Sequence, residues 1–150
     1  MTKMLKMASI FAFSLLLGAC DKDVKNNGMG EFLPVEEAFV FSVEAIDKNT
    51  INASWKIADG YYLYKDKFEF SLANDDYQIA SINIPKGKMI EDKVFGNKES
   101  YEGAVDIKIT LKAVNASSVS GKATINVGYQ GCSARGLCYP PQDVKSVISL

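Results

Sequence analysis

The stretch "VDIKITLKA", Val105–Ala113, alternates without a break. Val105, Ile107, Ile109, Leu111 and Ala113 fall on one side, and Asp106, Lys108, Thr110 and Lys112 on the other. Successive side chains of an extended chain point to opposite faces, so a period of two predicts a strand with one dry and one wet face. "INASWKI", 51–57, repeats the pattern with Ile51, Ala53, Trp55 and Ile57 against Asn52, Ser54 and Lys56. "ATINVGY", 123–129, aligns Ala123, Ile125, Val127 and Tyr129. Weaker versions run through "AFVFSVEAI", "YYLY", "KFEFSL", "YQIASINI" and "VKSVISL", and the turn clusters "DKNT", "ADG", "ANDD", "PKGK" and "NASSVSG" lie between them. No segment carries an apolar stripe of helical period. Eight or so short strands joined by close turns predict an all-β, antiparallel sandwich of immunoglobulin-like type, whose two layers suit this length better than a closed barrel does. The longest interruption, "KGKMIEDKVFGNKESYEG" (86–103), alternates poorly and reads as a loop of the size that often serves function.

The 150 residues suffice for one domain with a real core. Seventeen basic residues face eighteen acidic ones with no basic cluster, which argues against a nucleic-acid partner. Histidine is absent, and Arg135 is the sole arginine.

The start of the chain is of another kind. Lys3 and Lys6 precede the apolar "ASIFAFSLLLGA", and Cys20 comes directly after it. A charged head, a short apolar run and small residues at a cleavage point make an export signal. As a helix, residues 7–19 would reach about 20 Å, short of the roughly 30 Å of a hydrocarbon core. "LGAC", Leu17–Cys20, resembles a bacterial lipoprotein signal, with Cys20 the lipidated first residue after cleavage; an ordinary secretory signal with a chance cysteine is the alternative. Asp21 resembles the mark that retains such proteins at the inner membrane. "DKDVKNNGMGE", 21–31, is polar and aperiodic, the composition of a tether. The expected organisation is therefore a signal peptide over 1–19, lipidated cysteine and tether over 20–31, and a β-sandwich domain over 32–150. Export places the thiols where disulfides form and persist.

Near the end stands "YQGCSARGLCYPP", 129–141, with five residues between Cys132 and Cys138. Structural zinc needs four ligands, and two thiols without histidine make a poor site. A structural staple over so short a loop would remove only roughly 2–2.5 kcal/mol of unfolded-state entropy, against nearly 5 for a hundred-residue loop. A redox pair needs access. Gly131 and Gly136 clear space around the sulfurs, Arg135 would favour a thiolate if it points inward, and Pro140–Pro141 stiffen the exit from the loop. Spacing and composition leave staple and redox pair both open.

The residues resemble a known family. "YQGCSARGLCYPP", together with "FLPVEEAFVFS", "WKIADGYYLYKDKFEF", "IPKGK" and "EDKVFGNKESY" in the same order, is similar to the N-terminal periplasmic domain of the thiol:disulfide interchange protein DsbD, over about 31–150. The resemblance implies an immunoglobulin-like sandwich whose cysteine pair relays two electrons. In that family they pass from a thioredoxin-like domain, supplied through a membrane domain, to periplasmic thioredoxin-fold proteins, including disulfide isomerases and the reductant of cytochrome c maturation. For this chain a separate membrane electron carrier of the same type is the expected donor. It implies that Cys138 forms the mixed disulfide and Cys132 resolves it. Tyr62 and Tyr64 match tyrosines bordering the pair, and Asp92 matches an acid that handles the thiol proton. No cofactor and no metal are implied.

Two departures stand out. The family's cap loop carries an acid and two aromatics before its glycine, whereas here Lys93, Val94, Phe95 and Gly96 come after Asp92. Val94 occupies the capping position, so either a smaller cap serves or Phe95 takes that part, the latter being the expectation. The family also continues into a membrane domain and a thioredoxin-like domain, so this chain is either a free-standing version or one whose remainder has been cut away. The lipoprotein signal favours the former, with a lipid anchor at Cys20 standing in for the missing domains and holding a periplasmic protein at a membrane, the inner rather than the outer. The competing reading is a non-enzymatic lipoprotein binding module with an inert disulfide.

Overall fold

In the computed structural model the described residues are 30–115 and 121–150, and nearly all of their regular structure is antiparallel strand. The signal and lipidation readings at 1–19 and Cys20 lie outside them, as does most of the tether. One sheet is ordered β1 (Phe39–Asp47), β2 (Thr50–Ile57), β8 (Ala104–Ala113) and β5 (Tyr77–Asn83). A second is ordered β11 (Gln142–Ser149), β9 (Lys122–Tyr129) and β4 (Glu69–Leu72). The dry faces meet between them: Ile51, Ala53, Trp55, Val105, Ile107, Ile109 and Leu111 from one, Ala123, Ile125 and Val127 from the other, all buried. Burying a large aliphatic side chain is worth about 1.5–3 kcal/mol, so this alternation selects the register, since a one-residue slip would turn each set to water. Trp55 lies at the centre, its ring 4.9 Å from Phe41, 4.8 Å from Phe68 and 5.6 Å from Tyr129. The expected immunoglobulin-like sandwich is the observed fold.

A third, smaller sheet carries the cysteines, in the order β10 (Gly131–Ser133), β3 (Tyr61–Tyr64), β7 (Gly96–Tyr101) and β6 (Lys88–Asp92). It continues the track of the second sheet, because β9 leads into β10 and β3 leads into β4. Leu63 pairs with Gly131 and Glu69 with Gly128, so six steps along one strand match three along the other. The excess is the 3₁₀ turn Lys65–Lys67, which bulges out and re-aims β3.

This sheet corrects one expectation. Residues 86–103 are not a loop but chiefly the hairpin β6–β7, with Asp92 paired to Gly96. Its alternation was hidden because both faces are polar: β6 buries only Asp92 fully, with Ile90 partly covered. A four-residue helix, Val35–Ala38, precedes β1, with the Pro34 carbonyl accepting the Glu37 and Ala38 amides. Residues Glu31–Leu150 form one compact unit, and among the described residues no helix is long and apolar enough to cross a membrane.

Candidate functional site: a buried carboxylate, two phenols and a disulfide

Strand β3 is buried on both faces because it lies between two different surroundings. Tyr61 and Leu63 belong to the main core, while Tyr62 and Tyr64 turn the other way and pack with Cys132. Pairing sets Cys132 opposite Tyr62. That approach needs the preceding glycine, since a Cβ on Gly131 would stand 2.4 Å from the Tyr62 carbonyl oxygen and 2.6 Å from the Phe39 ring. Cys132 and Cys138 are joined as a disulfide across a tight hairpin with a Cα–Cα distance of 4.0 Å. The hairpin closes through Ser133 N–H to Leu137 O (2.7 Å) and Gly136 N–H to Ser133 O (2.8 Å). Gly136 adopts φ 101°, a left-handed conformation open to glycine without strain. The two sulfurs differ: Cys132 is fully buried, whereas Cys138 is half-buried and forms part of the wall of a cleft of about 80 Å³ between the two hairpins.

Asp92, at the end of β6, is 5% exposed, and both its oxygens are in use. Oδ1 accepts the amides of Val94 (2.7 Å) and Phe95 (2.6 Å). Oδ2 accepts the Tyr62 hydroxyl and, at 2.8 Å, the Tyr64 hydroxyl. Tyr64 Oη also lies 2.9 Å from Cys132 Sγ and 3.9 Å from Cys138 Sγ. A continuous line thus runs from carboxylate through phenol to sulfur.

Burial alone would raise the Asp92 carboxyl, but the bonds from Tyr62, the Phe95 amide, Tyr64 and the Val94 amide outweigh it and hold it below the usual carboxylate range. Burial, and then donation to that carboxylate, pushes Tyr62 up to about 12 and Tyr64 further still. At neutral pH Asp92 is therefore charged and both phenols keep their protons. With its O–H donated in a hydrogen bond to Asp92, Tyr64 has oxygen lone pairs to offer a thiol at Cys132.

The cap residues diverge. Phe95 stands edge-on to Tyr64 with ring centres 5.5 Å apart and remains 43% exposed. Val94 is 60% exposed and lines the cleft beside Cys138. Gly96, at φ 72°, turns the chain back into β7. Asp92, Cys132 and Cys138 hold their donor atoms within 4.8 Å of one another, the spacing of a metal site. They do not make one as they stand, because the sulfurs are bonded to each other and the carboxylate already takes four donors.

The structure brings together Cys132, Cys138, Tyr62, Tyr64, Asp92, Val94 and Phe95. It does not turn Arg135 inward: the guanidinium lies 4.3 Å over the Phe32 ring and 3.5 Å from the Glu31 carbonyl. Ile90, which packs on the Tyr62–Tyr64–Cys132 cluster, was missed, and its isolation among charged residues left no periodic signal.

Residues 30–149 match the family model described as the thiol:disulfide interchange protein DsbD, N-terminal. DsbD of Escherichia coli strain K12 is 32% identical over 135 residues, covering 87% of this chain and 22% of that protein. DsbD 1 of Pseudomonas aeruginosa is 37% identical over 113 residues, covering 75% and 18%. The chain thus spans about a fifth of the length of these relatives. The reduced DsbD N-terminal domain of Neisseria meningitidis superposes with a TM-score of 0.67 at 31% identity, covering 79% of this chain and 90% of that one. The same domain in complex with the PilB N-terminal domain gives 0.61 at 29% identity, covering 79% and 88%. Family match, relatives and superposition lead to one placement: the chain belongs to the DsbD N-terminal domain family.

Proposed function

We propose that this protein is a periplasmic thiol-disulfide oxidoreductase that relays two electrons through Cys132 and Cys138, from a membrane electron carrier to thioredoxin-fold proteins of the disulfide-isomerase or cytochrome c maturation type. Its anchor is an acyl group on Cys20. The observation that carries the reading is the inequality of the two sulfurs, one sealed in the sheet and one at a cleft. In the dithiol form, the Cys138 thiolate attacks a sulfur of the partner's disulfide, forming a mixed disulfide and releasing one partner thiolate. Cys132 then attacks Cys138 Sγ, which re-forms the intramolecular bond and releases the second partner sulfur. Two electrons have passed to the partner, and the domain is oxidised. Attack needs a thiolate, and Tyr64 with Asp92 gives the Cys132 proton a path out of a buried site. A membrane carrier with a more reducing dithiol reverses the sequence and restores the pair. A relative studied in complex with the PilB N-terminal domain supports a protein partner over a small thiol.

The test is trapping. Cys132→Ser leaves Cys138 unable to be released from a partner, so a mixed disulfide should accumulate with a periplasmic thioredoxin-fold protein, whereas Cys138→Ser should accumulate none. If neither variant yields an adduct with the partner present, the disulfide is inert and the binding-module reading replaces this one.

A further inference from the structure

The cysteine hairpin is gripped from behind. On the face of β3 opposite Tyr62 and Tyr64, the segment Glu31–Leu33 lies against it. Leu33 donates its amide to Tyr61 Oη (2.9 Å), and its carbonyl accepts the Tyr139 hydroxyl (2.5 Å). Both tyrosine rings stand edge-on to Phe39, at 6.0 and 5.5 Å. Tyr139 also donates its amide to Gly131 O (3.0 Å), closing the base of the hairpin. Nearer the tip, the Arg135 guanidinium rests 4.3 Å above the Phe32 ring. The bond to Tyr61 fixes the segment on β3, and the contacts of Tyr139 and Arg135 fall on the arm that carries Cys138: Tyr139 is its neighbour and Arg135 lies three residues before it.

Opening the disulfide moves two sulfurs from bonding to non-bonded separation, about 3.5 Å or more. Cys132 has no room to yield, being fully buried and laddered to Tyr62. The displacement therefore falls on the Cys138 arm, and the strap resists it. We infer that Glu31–Leu33 holds this arm in its closed position, which makes Phe32, Arg135 and Tyr139 positioning residues that favour the disulfide over the dithiol. The inference takes Cys132 and Cys138 as the reacting pair, as proposed above. Its effect is on the poise of the pair and on the freedom of Cys138, not on the chemistry at sulfur.

The experiment equilibrates the full chain with mixtures of reduced and oxidised dithiothreitol, which are strong enough to open a stable bond. Phe32→Ala, Arg135→Gln and Tyr139→Phe should each shift the equilibrium toward the dithiol, about two- to fivefold for the cation–π pair. Phe32→Tyr keeps an aromatic face and should restore the parent value. The melting temperature should fall for the oxidised form and stay put for the reduced form. Equal losses in both forms with an unchanged equilibrium, or a shift toward the disulfide, would overturn the strap and leave these contacts as ordinary packing. No partner protein enters this measurement. A chain that responds as expected yet traps no thioredoxin-fold partner would end the relay reading alone, and a chain that traps a partner without the shift would end the strap alone.

Discussion

The surroundings of Trp55 and of Asp92 are both dry, and they are built on opposite terms. Around Trp55 the walls are aliphatic and aromatic, and its indole N–H is buried with no hydrogen-bond partner among the described residues. Around Asp92 the walls are tyrosine rings, sulfur and Ile90, but polar groups point inward from them, and each carboxylate oxygen accepts two hydrogen bonds. The first region tolerates a loose polar atom because area and packing dominate it. The second holds a charge in low dielectric, which persists only when fully satisfied. One region makes up the main core, and the other lies against the sulfur pair.

Substitutions can break that division. Trp55→Ala should cost the most, about 3–5 kcal/mol in denaturant unfolding, with the dithiol–disulfide equilibrium of the folded fraction unchanged. A shift in that equilibrium would mean the regions are not separable. Asp92→Asn should cost about 2 kcal/mol at neutral pH, the scale of hydrogen bonds to a charged group, because an amide cannot accept from both phenols through its nitrogen. It should also alter the acid limb. The folded carboxyl sits below its ordinary 3.8, so its contribution is complete above that value and fades as pH falls through it toward the folded value. Unfolding measured from pH 6 to 3 should therefore be shallower in Asp92→Asn than in the parent.

Phe95→Ala sharpens the contrast from the other side. Stability should drop by about 1 kcal/mol or less, from one lost edge-on aromatic pair, while reduction of the disulfide by a small thiol should speed up several-fold. Val94→Ala should leave that rate alone, and the reverse result would make Val94 the cap. Smallest of all, Lys98→Ala removes an exposed pair with Asp66 (2.6 Å) and should change stability by less than about 0.5 kcal/mol with no effect on reduction.

The sandwich could be read from the sequence for the reason Trp55 tolerates its neighbours. Where one face is uniformly apolar, period-two alternation in "INASWKI", "VDIKITLKA" and "ATINVGY" is both the code and the driving force. Hairpin β6–β7 escaped because what it buries is chiefly polar, Asp92 and Ser100 with Tyr101 at the end of β7, and a buried Asp92 looks like any solvated loop acid until Tyr62, Tyr64 and two amides are seen around it. The cysteine pair stood out by itself, though spacing left staple and redox pair open, and Tyr62, Tyr64 and Asp92 were singled out only through family resemblance. The direction of Arg135 stayed open because nothing local says which way a loop side chain turns. The partner that decides it, Phe32, is about a hundred residues away in sequence.

The chain joins the sandwich beside the sulfurs and ends at the other pole: Gln142 pairs with Tyr129 next to the hairpin, and Ser149 pairs with Lys122 at the far end. A leash fastened before Gly30 therefore holds the molecule by its working end, and one fastened after Leu150 holds it by its back. With an acyl group on Cys20, as proposed, the eleven residues 20–30 would extend at most about 40 Å. The half-buried Cys138 would then stay within that reach of the lipid.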